Sequence, residues 1–387
     1  MKRIYFVGAA SVLFSTGPLL AGGVERSGQF LGPLFEDGNY VELSFAHVSP
    51  GVKGLDRSLG PAPGGASTGN VLESYNDWGL AYKQQLNKQW SVAVMFDQPF
   101  GADVLYASSS VNLGGTSANI SSQNVTGIVR YEIPNSSFGV HGGLRVSRAD
   151  GNVTLGGVAF DSISGYHLST DRDMAYGWLA GASWERPEIG ARVALTYNSA
   201  VEHEFQAVEA GPLVDFDGPG SAPALPLLDG TSMLKVSTPK SWNLEFQTGV
   251  SKNTLIFGSV RWADWSSFRI DPVRLWQVTG GGLVDLDDTI TYTLGVGHRF
   301  SDRWSGAVSF SFEEAGSKEV SPLAPTNGYK SVGLAAIYTQ GKMRITTGIT
   351  YVSIGNAWPS IGTPATVLAD LDDSHAWGVG VKIGFNF

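Results

Sequence analysis

Few side chains in this sequence are arranged for catalysis. None of the 387 residues is cysteine, which excludes thiolate nucleophiles, disulfide bonds and cysteine-based zinc sites. A serine nucleophile needs a histidine and a carboxylate held in one constellation. Six histidines occur, and none of them lies in a recognisable catalytic or metal-binding motif: His47, His141, His167, His203, His298 and His375. The sequence therefore predicts no catalytic residue, no metal site and no cofactor.

The charged residues suggest other chemistry. The chain has 26 lysine and arginine residues against 35 aspartate and glutamate residues, a net charge of -9. This balance argues against a nucleic-acid partner, because phosphate neutralisation dominates such binding. The acidic runs Asp285–Asp288 and Asp370–Asp373 offer oxygen ligands to divalent cations that bridge lipopolysaccharide. The simpler interpretation is that both runs are solvated loop ends.

The elements that hold these side chains are predicted to be β-strands. Over residues 376–387, large apolar side chains alternate with small or polar ones at every second position. This period of two is that of a strand with two different faces. Thirteen earlier segments repeat the same alternation, so the sequence predicts an all-β protein with fourteen strands.

Short and long connections alternate strictly between these strands. The short ones are polar and cover residues 87–89, 134–137, 186–188, 251–253, 301–303 and 340–342. The long ones cover roughly residues 48–73, 101–120, 150–173, 207–237, 265–287, 314–327 and 353–374. An even number of antiparallel strands with short periplasmic turns and long external loops is typical of an outer-membrane barrel.

The two faces of the strands favour such a barrel over a soluble sandwich. Aromatic residues end the apolar rows beside the short turns (Trp90, Trp304, Tyr131, Tyr338, Phe300, Phe387) and the long loops (Tyr197, Trp242, Trp262, Tyr351, Trp377). Two aromatic girdles are expected where a barrel meets two lipid interfaces. Charges share the opposite face, which predicts a polar lumen with ion pairs: Lys83, Arg130, Glu132, Arg145, Arg192, Glu245, Arg261, Arg299, Arg344 and Lys382. We predict a closed transmembrane barrel, since lipid does not tolerate an open sheet edge.

A targeting segment precedes the strands. Lys2 and Arg3 are followed by a mostly apolar stretch to Leu20 and then by small residues from Ala21. This order is typical of a secretory signal peptide over residues 1–21. A membrane-anchoring helix is the alternative, but the stretch is short for a span and Pro18 interrupts it.

Several stretches together resemble the FadL family of outer-membrane transporters. Residues Gly22–Gly38 resemble the family's lumen plug, or hatch, and the strand count fits. The proline-led stretch Thr238–Trp242 and the returning strand Val260–Phe268, with its Trp-x-x-Trp-Ser-x-Phe ending, look like the family's central hairpin. The hatch lacks the Asn-Pro-Ala motif common in the family. The last four residues, Gly384–Phe387, resemble the assembly signal of outer-membrane barrels in general.

The resemblance implies an architecture and a function. The architecture is a signal peptide over 1–21, a hatch over 22–38 and a fourteen-stranded antiparallel barrel over 39–387. The function is passive uptake of hydrophobic compounds, above all long-chain fatty acids, across the outer membrane of a Gram-negative bacterium. Implied partners are outer-membrane lipid, lipopolysaccharide and, through Phe387, the barrel assembly machinery.

A fatty acid needs an apolar path for its tail and a cation for its carboxylate. The expected path uses apolar residues of the hatch (Phe30, Leu31, Leu34, Phe35) and of the external loop 207–237 (Leu225, Leu227, Leu228). Each set has a simpler interpretation, as an anchor of the hatch or as packing over the barrel mouth. Arginine holds carboxylates bidentately, and the candidates near the external end are Arg145, Arg148 and Arg261. Each of these has the alternative of a structural ion pair.

The third strand carries the expected exit. The resemblance implies sideways release into the membrane beside a kink in that strand. Here the strand Trp90–Phe96 is followed by Pro99, Phe100 and Gly101. Proline cannot donate to a ladder, and glycine permits a bend, so we predict local loss of pairing there. The alternative is that Pro99 merely ends the strand.

Other functions remain open on the sequence alone. Within transport, the substrate is a fatty acid or an aromatic hydrocarbon. A general aqueous porin would instead have an open lumen and conduct ions. An outer-membrane enzyme or an adhesin with partner-binding loops are further alternatives, and neither has a motif in its favour.

Overall fold

The computed structural model describes residues 24–214 and 225–387. The expected signal peptide lies outside the described residues. Among these, no helix is both long and apolar enough to cross a membrane.

Fourteen antiparallel strands of the described chain close into a barrel, which confirms the predicted fold. The last strand pairs with the first from Tyr40 opposite Asn386 to Asp56 opposite Ala369, with one bulge between Gly51 and Lys53. The strands are β1 Tyr40–Asp56, β2 Tyr75–Gln85, β3 Trp90–Asp97, β4 Ser117–Glu132, β5 Phe138–Thr154, β6 Asp173–Arg186, β7 Ala191–Asn198, β8 Ser241–Gly249, β9 Thr254–Ala263, β10 Thr289–Arg299, β11 Trp304–Glu313, β12 Tyr329–Gln340, β13 Met343–Ile354 and β14 Ala369–Asn386.

Strand alternation gives the barrel an apolar outside and a polar inside. The large apolar side chains of each strand are exposed outward, where lipid covers them in the membrane. Aromatic pairs form at both rims: Trp304 with Tyr338 at 5.0 Å between ring centroids, and Tyr351 with Trp377 at 4.9 Å. Inward charges pair with one another, as Lys382 does with Glu42 at 3.1 Å.

Beyond the barrel wall, further strands extend the same sheet. The predicted long loop 207–237 is largely a hairpin, in which Glu202–Ala210 pairs with Gly230–Ser237. His167–Thr170 joins this hairpin to β5. A short helix, Val273–Thr279, is attached to the hairpin because Glu209 accepts hydrogen bonds from the backbone of Arg274 and Leu275 at 3.1 and 2.9 Å.

The described part of the expected hatch, residues 24–38, lies in contact with the inner wall. A single 3₁₀ turn, Gly32–Phe35, packs with Leu31 against small and apolar wall residues: Ala81, Ala93, Met95, Ile128, Leu179 and Ala194. Where the chain leaves the hatch, Asp37 O accepts a hydrogen bond of 2.9 Å from Asn386 in the last strand. The Phe387 N–H likewise donates to Asn39 O at 3.1 Å.

Candidate substrate path and exit site

The wall of the barrel is interrupted between β2 and β3. Their ladder runs from Gln85 opposite Ser91 to Leu80 opposite Phe96 and stops there. Above this point the third strand resumes as Gly101–Leu105. No backbone hydrogen bond between described residues joins residues 74–79 to residues 97–102, and we call this interval the wall gap.

The kink lies at the residues singled out from the sequence. Asp97 pairs with Asn124 of β4, and Gly101 pairs with Ser121, so the third strand has one residue more than its neighbour over this interval. Residues 98–100 belong to neither ladder. Proline at position 99 suits such a bulge, because it has no N–H to leave unpaired. The ladder is therefore broken on the β2 side and bulged on the β4 side.

The hatch replaces the missing ladder from inside the lumen. The Gly101 N–H donates to Val24 O at 2.9 Å, and Pro99 O accepts from the Arg26 N–H at 2.8 Å. From β4, Ser122 Oγ accepts a hydrogen bond of 2.9 Å from the Phe100 N–H. The first residues of the hatch thus act as a short extra strand for the interrupted segment.

Arg26 of the hatch spans the upper part of the wall gap. Its guanidinium lies 4.3 Å from the ring centroid of Tyr75 and forms an ion pair of 2.5 Å with Asp103. A side chain at Gly101 would meet this guanidinium and force it to shift. Arg26 therefore links the two sides of the gap through side chains rather than backbone.

The outer and inner rims of the gap differ in chemistry. On the outer rim, the rings of Trp78 and Phe96 stack at 4.2 Å with an interplanar angle of 20°. Gln98 Oε1 accepts a hydrogen bond of 3.2 Å from the Trp78 N–H. On the inner rim, Asp77 of β2 and Asp97 at the end of β3 face the lumen.

A cavity of about 100 Å³ lies behind the gap. The hatch lines one side with Phe30 and Leu31, and the lumen wall contributes Arg145. The lipid-facing residues Trp78, Leu80 and Phe96 line it as well. One cavity therefore contacts the hatch, a lumen cation and the outer rim of the gap.

The three predicted carboxylate partners have three different environments. Arg145 is 4% exposed and donates to Thr126 Oγ1 at 3.2 Å and Asn198 Oδ1 at 3.1 Å. No carboxylate of the described residues lies within 4.0 Å of its guanidinium. Arg261 is already occupied, because it pairs with Glu25 of the hatch through an Nε–Oε1 contact of 2.9 Å.

The expected lumen position of Arg148 is wrong. Its side chain is exposed on the outward face of β5, in the same row as Leu144 and Val146. The reason is the period of two: Arg145 and Arg148 are three residues apart, so an uninterrupted strand places them on opposite faces.

The four hatch residues also divide into two groups. Phe30 and Leu31 line the cavity, whereas Leu34 and Phe35 pack into the wall. The Phe35 ring lies between two guanidinium groups, those of Arg130 at 5.0 Å and Arg192 at 4.4 Å. These two positions suit an anchor rather than a surface along which substrate passes.

External apolar residues form two further spaces. A cavity of about 70 Å³ beside the hatch is lined by Val24, Phe100, Phe205, Leu234, Phe268 and Ile270. A groove of about 760 Å³ between the loops is lined by Phe160, Leu275, Trp276, Leu283, Val320 and Ile361. The predicted loop residues lie elsewhere: Leu225 is exposed, Leu227 is half-buried and Leu228 is buried.

The acidic runs are partly engaged in ion pairs. Asp370 accepts two hydrogen bonds from Arg57, at 2.8 and 2.6 Å, and these raise the pKa of the Arg57 guanidinium. Asp285 lies 3.2 Å from Arg269. No cluster of three or more potential metal ligands occurs in residues 24–214 and 225–387.

A closed barrel of fourteen antiparallel strands with an apolar outer face is the architecture of an outer-membrane protein. The family model described as "Outer membrane protein transport protein (OMPP1/FadL/TodX)" matches residues 76–315, which is more than half of the chain. The chain therefore belongs to this family, and the resemblance noted in the sequence is confirmed. It is an outer-membrane transporter of hydrophobic compounds in a Gram-negative bacterium and not an enzyme.

Solved structures share this fold at low sequence identity. A FadL homologue of Pseudomonas aeruginosa matches with a TM-score of 0.71 and 13% identity, covering 98% of each chain. The toluene transporter TodX of Pseudomonas putida matches with 0.62 and 13%, covering 91% of each chain. The toluene transporter TbuX of Ralstonia pickettii matches with 0.58 and 12%, covering 92% of this chain and 90% of the other. No curated protein sequence matches the chain.

Proposed function

We propose that the protein takes up long-chain fatty acids and releases them sideways through the wall gap. The observation that carries the proposal is the cavity behind the gap. It combines a buried guanidinium that has no carboxylate partner within 4.0 Å among the described residues with apolar side chains of both the hatch and the lipid-facing wall.

Uptake begins at the external groove in this proposal. The groove exposes Trp276 and other apolar side chains above the membrane, and exposed apolar surface of this kind binds hydrophobic compounds. The compound next enters the smaller apolar cavity beside Val24 and Phe100. From there the carboxylate reaches Arg145, while the tail contacts Phe30 and Leu31.

The wall gap makes the last step inexpensive in free energy. Opening a paired ladder in lipid would leave backbone groups unsatisfied at several kcal/mol each. At the gap side chains have to move, and residues 24–26 of the hatch have to give up their backbone hydrogen bonds with Pro99 and Gly101. Separating the stacked rings of Trp78 and Phe96 costs about 0.5–1.5 kcal/mol for an aromatic pair.

Uptake of aromatic hydrocarbons is the second candidate. A specific observation favours it: the small cavity beside the hatch has an apolar lining that includes Phe100, Phe205 and Phe268. A neutral ring needs no cation, so this route would not depend on Arg145. Some related structures are described as toluene transporters.

Uptake by a host that lacks its own fatty-acid transporter separates the two candidates. Labelled oleate and toluene are supplied to cells that express the wild type, Arg145→Met or Arg148→Met. The control residue lies three positions along the same strand and points outward. We expect Arg145→Met to lower oleate uptake about tenfold or more, since a charge-assisted pair is lost, and to leave toluene uptake unchanged.

Other outcomes would contradict the proposal. The folding of the wild type and of both variants is first verified by the heat-dependent shift of the barrel in gel mobility. Toluene uptake without oleate uptake would favour the hydrocarbon channel. Large single-channel conductance without uptake of either compound would favour a porin.

The barrel assembly machinery and lipopolysaccharide are further proposed partners. Phe387 is exposed on the outer face, 6.2 Å from the ring of Tyr82, where the assembly machinery can reach it. Contacts with lipopolysaccharide and with this machinery remain predictions.

A further inference from the structure

The inner rim of the wall gap carries two carboxylates that the transport path does not require. Asp77 and Asp97 come from opposite sides of the gap and line the same cavity as Arg145. Asp77 Oδ1 is buried and has no hydrogen-bond partner in the structure. Asp97 Oδ2 is 3.4 Å from Ser27 Oγ, a long hydrogen bond. A buried carboxylate with so few hydrogen bonds lowers the stability of the wall. This cost points to a function for the group.

The other charges around the cavity neutralise one another. Arg26 is paired with Asp103 at 2.5 Å, and Lys382 is paired with Glu42 at 3.1 Å. The charges that remain on the cavity are one cation, Arg145, and the two carboxylates. No ion pair within 4.0 Å joins Arg145 to Asp77 or Asp97. Two carboxyl groups on the inner rim therefore face one cation, Arg145.

A compound that leaves through the gap has to pass between these two carboxylates and then enter lipid. An anion is repelled at the rim, because like charges interact strongly where water is scarce. The same anion would also lose its hydration on entering the membrane. A neutral compound of the same shape meets neither obstacle. An anion therefore meets two barriers at the same place: repulsion by the carboxylates and loss of hydration in the lipid.

We propose that Asp77 and Asp97 form a charge filter that lets neutral hydrophobic compounds leave through the wall gap and holds back anions. This inference rests on the proposed sideways release and names the substrate form that uses it. Fatty acids leave as the protonated acid, and their carboxylate form is retained at Arg145. Alcohols and hydrocarbons pass without this restriction.

Three probes with one tail test the filter. Cells take up oleyl alcohol, oleate and oleyl sulfate, of which the sulfate ester is permanently anionic. The variant is Asp77→Asn/Asp97→Asn, which keeps size and hydrogen-bonding capacity. Its control is Asp302→Asn, in a short turn where the carboxylate is 99% exposed. We expect the wild type and the control to admit the alcohol and to exclude the sulfate.

The double variant should admit the sulfate about tenfold faster than the wild type does, with alcohol uptake unchanged, because two repulsive charges are gone. If the double variant fails to fold, Asp77→Asn and Asp97→Asn alone should each raise sulfate uptake about threefold. Equal uptake of sulfate and alcohol by the wild type would overturn the filter, and so would sulfate uptake that the substitutions leave unchanged. If the folded wild type takes up neither alcohol nor oleate, the proposed function fails as well.

Discussion

The seam between β1 and β14 and the wall gap between β2 and β3 lie close together in the barrel wall but are built in opposite ways. The seam is paired from Tyr40 to Asp56 with one bulge, and the Lys382–Glu42 ion pair crosses it. At the gap, pairing stops at Leu80. The missing partners there are supplied by the hatch backbone and by side chains.

This difference shows how a membrane barrel can be opened safely. Lipid offers no hydrogen bonds, so every backbone group in the wall needs a protein partner. The seam meets this requirement with a ladder, which is hard to separate. The gap meets it with groups that can move away, namely Arg26, Gln98 and the residues from Val24 to Ser27. Variants that fix or release these groups test whether the gap opens while the seam stays closed.

The largest effect is expected from fixing the hatch to the gap. Ser27→Cys/Asp97→Cys would place one thiol at the position of Ser27 Oγ and the other near that of Asp97 Cγ, one bond from the Oδ2 atom that now lies 3.4 Å from Ser27 Oγ, in a chain without other cysteines. The resulting disulfide should make the gap as immobile as the seam and lower oleate uptake more than about tenfold. Reduction with dithiothreitol should restore uptake.

A matched crosslink serves as the control. Thr293→Cys/Ser311→Cys joins β10 to β11, where the two hydroxyls are 2.9 Å apart in a continuous ladder. It should leave uptake unchanged. Normal uptake in the oxidised Ser27→Cys/Asp97→Cys variant would show that the gap does not open on the hatch side.

The next effect concerns the anchors that keep the hatch in place of the ladder. Arg261→Met leaves Glu25 buried without a partner and should weaken hatch docking by about 3–5 kcal/mol. Arg344→Met should cost less, since Arg344 is 19% exposed whereas Arg261 is 2% exposed. Hydrogen exchange of amides from Arg26 to Leu31 measures the difference. Equal exchange in both variants would contradict the ranking.

A smaller effect is expected from releasing Arg26. Gly101→Ala puts a methyl group against the guanidinium and should weaken its contacts with Tyr75 and Asp103 by about 1–2 kcal/mol. Single-channel recordings should then show more frequent leak events. Gly127→Ala is the control, because its methyl group would meet no atom within 4 Å. Similar leak in both variants would argue against a closing role for Arg26.

The smallest effect is expected at the outer rim. Trp78→Ala removes the ring stacked on Phe96 and should raise the rate of oleate uptake about threefold, since an aromatic pair contributes about 0.5–1.5 kcal/mol. Trp242→Ala is the control. It removes a ring of β8 whose centroid lies 5.0 Å from that of Tyr197 on β7, away from the gap, and it should leave the rate of oleate uptake unchanged. A lower rate for Trp78→Ala would mean that the ring guides substrate rather than covers the gap.

Sequence patterns predicted the fold better than the site. Period-two alternation and loop lengths depend on local residues, so they were sufficient for fourteen strands. Pro99 predicted the kink because proline lacks an N–H to donate to the ladder. Asp77 gave no comparable signal, since an inward aspartate looks the same as any lumen charge until the broken ladder beside it is known. Arg26 and Asp103 are far apart in sequence, and only the folded chain joins them.

The bonds between the hatch exit and the last strand have a consequence for the order of assembly. Asn386 and Phe387 contact Asp37 and Asn39 across nearly the whole length of the chain. Contacts of such high sequence separation form late, since the entropy of closing the intervening chain has to be overcome first. The hatch must already lie inside when the ring closes, because the C-terminal residues then hold the chain where it leaves the hatch for β1. The final pairing event therefore also locks the plug in place, and a barrel that closes too early would be an empty one.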